Sequence, residues 1–139
     1  MLPTEAQRAE VPSLNKLIWL IYGAPGIGKS TLFSNFPNAL FLYTDPGLSF
    51  ITAMKHPVEK WSAFKEAVKE LSTTAKPKYG IVVVDTVDLL WSMCVSYICT
   101  ARGIEHQSDE AWGKGYDMIE REFKIPIQQL CMLKAKGCG

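Results

Sequence analysis

An octapeptide near the N-terminus restricts the fold of this 139-residue chain more than any other feature. Residues 23–30 read GAPGIGKS and match the pattern G-x-x-x-x-G-K-[ST] at every fixed position. The apolar run LIWLIY precedes them and predicts a buried strand at residues 16–22, while residues 29–35 are predicted to form a short helix. A strand, a glycine-rich loop and a helix in this order are typical of a phosphate-binding loop.

The residue types of this loop suit a nucleoside triphosphate. Backbone N–H groups must wrap the phosphates, and glycine lets the main chain approach them or adopt positive φ. Lys29 is expected to place a cation between the β- and γ-phosphates, and Ser30 to offer its hydroxyl to Mg²⁺. The positions expected to bind the nucleotide are Gly23, Ala24, Pro25, Gly26, Ile27, Gly28, Lys29, Ser30 and Thr31.

Length and composition fit a single α/β domain with a core of moderate size, because 47% of the residues are hydrophobic. The net charge is +1 at pH 7, so the overall charge favours neither a nucleic acid nor a membrane as partner. Residues 1–11 carry no apolar signal stretch, and Asp85 and Asp88 interrupt the most apolar window, residues 81–101. We therefore expect a cytoplasmic protein that does not span a membrane.

Strand and helix patterns alternate along the first two thirds of the chain. After the strand at residues 16–22, further strands are predicted at residues 39–44 and 81–84, the latter buried on both faces. Between them, residues 58–72 predict an amphipathic helix. Its apolar positions are Trp61, Phe64, Val68 and Leu71. This alternation implies a parallel sheet with helices on its faces.

Two more helices are predicted in the remaining third. An apolar stripe over residues 87–101, followed by a glycine, predicts a helix that belongs to the core. A second periodic run, residues 116–133, contains Pro126, which removes a backbone donor and should kink the helix or split it. We place one nucleotide-binding domain at residues 16–139, after a flexible N-terminal segment at residues 1–15.

The third predicted strand ends in an acid. Four apolar residues followed by Asp85 look like the second motif of nucleotide hydrolases, whose carboxylate holds the Mg²⁺ shell. The alternative is that Asp85 only caps the helix that begins at Thr86. The phosphate-binding loop favours the first interpretation, with Ser30 and Asp85 as the metal-binding pair. Asp88, one helical turn later, is interpreted as a solvated side chain.

Taken together, the motifs resemble RecA-like P-loop ATPases common in bacteriophages, an AAA/RecA-like group in which some members are recombinases or single-strand annealing proteins. The resemblance rests on residues 21–30, 44–48, 84–88 and 113–116, the last followed by Glu122-Phe123. It implies an α/β P-loop NTPase fold of RecA-like type, ATP and Mg²⁺ as cofactors, and ATP hydrolysis in DNA recombination, annealing or replication. It also implies single-stranded DNA as a partner, homo-oligomers, and the host cytoplasm as location if a phage encodes the protein.

The same resemblance implies a catalytic set of Lys29, Asp45 and Asp85. In that family the turn after the second strand usually carries a glutamate that activates water, and Asp45 matches it here. Because its side chain is one methylene shorter, hydrolysis is expected to be slow. The alternative is that Asp45 is a turn residue before Pro46. Four interpretations of Lys114, in the last resembling segment, stay open: contact with phosphate, with DNA or with a neighbouring subunit, or simple exposure.

One departure concerns the sheet. RecA-like proteins place a further strand between the loop strand and the Asp85 strand, and this chain instead reaches a helix-ending turn at residues 136–139. The two strands would then lie about 9–10 Å apart with nothing bonded between them, or the pairing would rearrange. We therefore hypothesise a fold that is incomplete at the C-terminal end, a fragment of a longer ATPase.

Two other functions stay open. A nucleotide or small-molecule kinase would need several arginines near its phosphates, and Arg8, Arg102 and Arg121 lie near no motif. A non-hydrolysing interaction module would bind the nucleotide only for stability or assembly. No N-K-x-D sequence is present, and the DTVD at residues 85–88 lacks the glycine of a D-x-x-G switch, so ATP is favoured over GTP.

Overall fold

The computed structural model describes residue 11, residues 13–74 and residues 78–138. The helices are α1 (Lys29–Ser34), α2 (Trp61–Thr73), α3 (Val87–Arg102) and α4 (Lys114–Met132), and the strands are β1 (Ala39–Tyr43), β2 (Met54–Pro57) and β3 (Ile81–Asp85). Short 3-10 segments lie at Leu14–Lys16, Pro46–Phe50, Gln107–Asp109, Ala111–Gly113 and Leu133–Lys136. The expected flexible segment at residues 1–15 lies mostly outside the described residues.

The three strands form a parallel sheet in the order β2-β1-β3. Tyr43, at the end of β1, pairs with Pro57 on one side and Asp85 on the other, so all three strands end at the same edge of the sheet. The sequence did not predict β2. All four residues of this edge strand are exposed. Because only its backbone pairs with β1, its sequence carries no alternation of apolar and polar residues that would predict a strand.

The predicted strand at residues 16–22 is wrong. Residues 17–24 carry no strand pairing, and the side chains of Ile18, Leu20 and Tyr22 are 61%, 79% and 89% exposed. An apolar run becomes a strand only where a neighbouring strand pairs its backbone, and the described sheet ends at β2 on one side and at β3 on the other, with no strand beside β3 to which this run is joined. Neither of the two arrangements expected for the sheet is observed, because residues 16–22 form no strand and the strands at residues 39–43 and 81–85 pair directly with each other.

The central strand separates two apolar clusters, because successive side chains of β1 point to opposite faces. Leu40 and Leu42 belong to a cluster with α2, α3 and α4, while Ala39 and Phe41 belong to a smaller cluster that includes Phe33 of α1. All four apolar positions predicted for α2 are buried. Helices therefore cover both faces of β1, as the mixed α/β prediction requires.

Three details of the C-terminal half refine the sequence predictions. In β3 only Ile81 is buried and the other residues are half-buried, because β3 pairs with β1 alone among the described residues. The stripe of α3 is buried at Leu90 and Cys94 but exposed at Trp91, since a stripe wider than the contact surface cannot be covered completely. Helix α4 continues through Pro126 and is not split.

A helix that crosses a bilayer needs about 20 predominantly apolar residues. Within residue 11, residues 13–74 and residues 78–138, no helix is both long enough and apolar enough to do so.

Candidate functional site

The glycine-rich loop has the backbone conformation that its sequence predicts. Gly26 and Gly28 have φ values of 79° and 92°, a region that other L-residues rarely adopt. A Cβ atom added to either residue would meet no atom within 4 Å, so these positions require glycine for conformation and not for space. Helix α1 begins directly after Gly28. The other predicted nucleotide contacts of the loop are exposed and include Ala24, Pro25, Ile27 and Thr31.

The side chain of Lys29 turns back onto the loop. Its ammonium donates hydrogen bonds to the carbonyl oxygens of Gly23 and Ala24, at 2.8 and 2.9 Å. A charged donor makes these bonds stronger than neutral ones. The cation therefore lies at the glycine-rich loop, where the sequence placed the phosphates.

Ser30 and Asp85, predicted as the metal-binding pair, are in direct contact. The Ser30 hydroxyl donates to Oδ2 of Asp85 at 2.5 Å, across 55 residues of sequence. Ser30 lies in the first turn of α1 and Asp85 is the last residue of β3, and both are half-buried. This contact brings the loop and the carboxyl edge of the sheet into one site.

The donor set of this pair fits Mg²⁺. Hydroxyl and carboxylate oxygens are the hard ligands that Mg²⁺ prefers, and it is usually held by one or two carboxylates together with phosphates and waters. The described ranges contain no group of three His, Cys, Asp or Glu side chains placed to hold a metal. A cation at Ser30 and Asp85 would therefore depend on the phosphates of a bound nucleotide.

Sequence reasoning missed Thr44, which joins the ends of β1 and β3. The Thr44 backbone N–H donates to the Asp85 carbonyl at 2.8 Å, and its Oγ1 accepts from the Thr86 backbone N–H at 3.0 Å. The Thr44 hydroxyl also lies 3.4 Å from the carbonyl oxygens of Asp85 and Thr86. The available signal was its position as the last residue of the predicted strand at residues 39–44, in a sheet predicted to be parallel.

Asp45 is engaged in its own turn. Its Oδ1 accepts a hydrogen bond from the Gly47 backbone N–H at 3.0 Å and caps the 3-10 segment Pro46–Phe50. No hydrogen bond joins Asp45 to Ser30 or Asp85, all three of which are described. This geometry corresponds to the turn interpretation, and a catalytic role of Asp45 stays a prediction. Asp88 is exposed on α3, consistent with a solvated side chain.

A groove of about 830 Å³ lies outside the glycine-rich loop. It is lined by the N-terminal end of α2, by one face of α3 and by Thr44. Its remaining wall is largely apolar and includes Trp61, Met93 and Tyr97. Residues 23–31 do not line it, so it is separate from the phosphate-binding loop.

A polar cluster behind this groove ties three helices together. Oε1 of Glu122 accepts from Trp61 Nε1 at 2.8 Å and from Lys65 Nζ at 2.7 Å, and the Lys65 ammonium lies 4.5 Å from the centre of the Tyr97 ring. Partial burial opposes charge on Glu122, but the bonds from Lys65 and Trp61 outweigh it and lower the Glu122 pKa. Burial is likewise outweighed at Lys65, where the bond to Glu122 raises the pKa.

A match to a protein family covers all residues of the candidate site. The family model described as AAA domain matches residues 15–135, a range that contains the glycine-rich loop, the Ser30–Asp85 contact and all seven helices and strands of the described structure. Searches of curated proteins and of solved structures returned no match. On this match over most of its length, the chain belongs to the AAA domain family, whose fold points to nucleotide binding of the P-loop ATPase type.

Proposed function

We propose that this chain binds ATP with Mg²⁺ at residues 23–31 and hydrolyses it, as a RecA-like ATPase of phage DNA recombination, annealing or replication. The observation that carries the proposal is the contact of 2.5 Å between Ser30 and Asp85, beside a loop that also holds the Lys29 ammonium. Two residues that the sequence singled out for one cation are thus neighbours in space.

The chain's own groups have defined roles in this proposal. Loop N–H groups wrap the phosphates, and Lys29 exchanges its bonds to the Gly23 and Ala24 carbonyls for bonds to phosphate oxygens. Ser30 and Asp85 would hold Mg²⁺, which when bound would neutralise charge on the phosphates. Asp45 is the candidate base for water, and it would have to leave its bond to Gly47. Slow hydrolysis is therefore expected.

The DNA and assembly parts of the proposal rest on the resemblance alone. Lys114 lies at the exposed N-terminal end of α4, within one of the resembling segments, and is the candidate DNA contact. Stimulation of hydrolysis by single-stranded DNA, falling steeply with salt, would support this part. A homo-oligomer that forms with ATP would support assembly.

ATP binding tests the proposal directly. Calorimetric titration with ATP and Mg²⁺ is run on the chain, on Lys29→Ala and on Lys69→Ala, a matched lysine on the exposed side of α2. We expect Lys29→Ala to weaken binding roughly tenfold or more, equivalent to at least 1.4 kcal/mol, and Lys69→Ala to bind like the parent. Equal binding by the parent and Lys29→Ala would refute a nucleotide site at the loop.

The alternatives predict different products. Retained binding without hydrolysis, with or without DNA, would favour the interaction module, and phosphoryl transfer to a nucleoside or small molecule would favour a kinase. The structure lowers support for the kinase, because Arg102 pairs with Glu110 and Arg121 with Asp117, in α3, α4 and the segment between them. These pairs hold both guanidinium groups to acids outside the loop, whereas a kinase would use arginines on a second phosphorylated substrate, and Arg8 lies outside the described residues.

A further inference from the structure

We infer that Thr44 is a positioning residue for the carboxylate of Asp85, an inference that rests on the proposed Mg²⁺ and ATP site. Thr44 follows β1 directly, and its side chain is partly buried. It binds both polar groups of the peptide bond between Asp85 and Thr86. Its backbone N–H donates to the Asp85 carbonyl, and its Oγ1 accepts from the Thr86 N–H. One residue thus fixes the chain at the point from which the Asp85 side chain reaches Ser30.

The hydroxyl of Thr44 is needed because the backbone pairing of β1 with β3 ends at Asp85. The register of β1 and β3 runs from the Ala39 and Ile81 pair to the Tyr43 and Asp85 pair. Thr86 lies one residue beyond it, and the acceptor for its N–H is Oγ1 of Thr44, at 3.0 Å. Valine would keep the shape of threonine but remove this acceptor and leave the Thr86 N–H without its partner.

Loss of this support has a specific consequence for the site. Groups that orient a metal-binding side chain, without touching the metal, commonly change metal affinity by tenfold to a hundredfold when removed. If Thr44 orients Asp85, its replacement should weaken the Mg²⁺-dependent part of ATP binding. A residue that only stabilises the sheet would lower stability and leave the Mg²⁺ dependence unchanged.

The test compares Thr44→Val, Thr44→Ser and Thr100→Val, the last at an exposed position of α3. ATP binding is titrated against Mg²⁺, and amide hydrogen exchange at Thr86 is measured without nucleotide. We expect Thr44→Val to need roughly tenfold or more Mg²⁺ for half-maximal binding and to exchange the Thr86 amide faster. Thr44→Ser should restore both values, Thr100→Val should change neither, and ATP binding without Mg²⁺ should be equal in all.

Each outcome decides the inference. An unchanged Mg²⁺ midpoint in Thr44→Val would overturn it, and so would Thr86 exchange equal to that of the parent. If Thr44→Val does not fold, Thr44→Cys replaces it, because a thiol is a weaker acceptor and should give an intermediate shift. Lys29→Ala distinguishes failure of the proposed function from failure of this inference. If Lys29→Ala binds ATP like the parent, the proposed function fails. If Lys29→Ala binds ATP weakly while Thr44→Val keeps the Mg²⁺ midpoint of the parent, only the role of Thr44 is refuted.

Discussion

The region of the glycine-rich loop and the layer formed by α2, α3 and α4 are stabilised in opposite ways. Residues 17–28 are mostly exposed, the Lys29 ammonium bonds back onto the loop itself, and the Ser30–Asp85 contact joins this region to the sheet. The helical layer instead buries large side chains that come from distant parts of the sequence. The phosphate-binding loop is thus specified by a local motif, whereas the fold depends on non-local burial.

Aromatic contacts show how the helical layer is held. The ring of Trp61 lies 5.4 Å from that of Phe64 and 5.5 Å from that of Phe123, and Phe123 meets Trp91 edge-on at 5.0 Å. Aromatic pairs at such distances stabilise a core beyond their buried area. Because these rings belong to α2, α3 and α4, the cluster connects all three long helices.

The largest effect on stability is expected at Trp61, with Trp112 as the matched control. Trp61 is 1% exposed and Trp112 is 96% exposed. Trp61→Ala should lower the free energy of unfolding by about 3–5 kcal/mol, because it opens a cavity and removes the donor to Glu122. Trp112→Ala should change it by less than about 0.5 kcal/mol. Urea unfolding of both variants measures the difference, and equal losses would contradict the assigned burial.

A smaller effect is expected at Glu122, the polar link within the same layer. Glu122→Gln should cost about 1 kcal/mol near pH 7, since bonds to a charged acceptor become bonds to a neutral one. The folded pKa of Glu122 lies below the ordinary value of 4.5, so its contribution is present above pH 4.5 and is lost as the pH falls through the lowered pKa.

Stability measured against pH checks this assignment. The parent should lose stability below pH 4.5 more steeply than Glu122→Gln, so the two curves should converge in acid. Lys65 should show the opposite pH dependence, because its pKa is raised in the folded protein. Its contribution to stability is present below pH 10.5 and is lost as the pH rises through the folded pKa. Parallel curves for the two proteins across the acid range would show that Glu122 is not the group responsible.

The smallest effect is expected in the apolar segment before the loop. Leu20 is 79% exposed, so Leu20→Ser should change the free energy of unfolding by less than about 0.5 kcal/mol. Leu42→Ser, at a buried position of β1, is the matched control and should be strongly destabilising. A loss at Leu20 comparable to that at Leu42 would indicate that residues 17–22 are buried, as the sequence pattern predicted.

The sequence predicted most reliably what depends on local pattern. The buried positions of α2, the glycine that ends α3 and the conformation of the loop all follow from periodicity or from glycine chemistry. The Ser30 and Asp85 pairing could be predicted because both belong to motifs. The contacts of Thr44 were missed, because they depend on which strand lies beside β1 and on the exact register, and its position at a strand end was the signal that the sequence offered.

The same distinction explains the errors. An apolar run such as residues 17–22 shows that burial would be favourable, but it does not identify a strand that could pair with it. Strand β2 shows the reverse, because its backbone pairs with β1 while its side chains stay exposed. Pairing partners are a property of the whole chain, and single-sequence patterns do not contain them.

The central claim, that Ser30 and Asp85 act as one site, is tested most directly by a double-mutant cycle on ATP affinity with Mg²⁺. Ser30→Ala, Asp85→Asn and the double variant are compared with the parent, with Asp88→Asn as an exposed acidic control. We predict that both single variants weaken binding, and that the double variant loses less than their sum by about 0.5–3 kcal/mol. Additive losses, or normal binding by either single variant, would contradict a shared site.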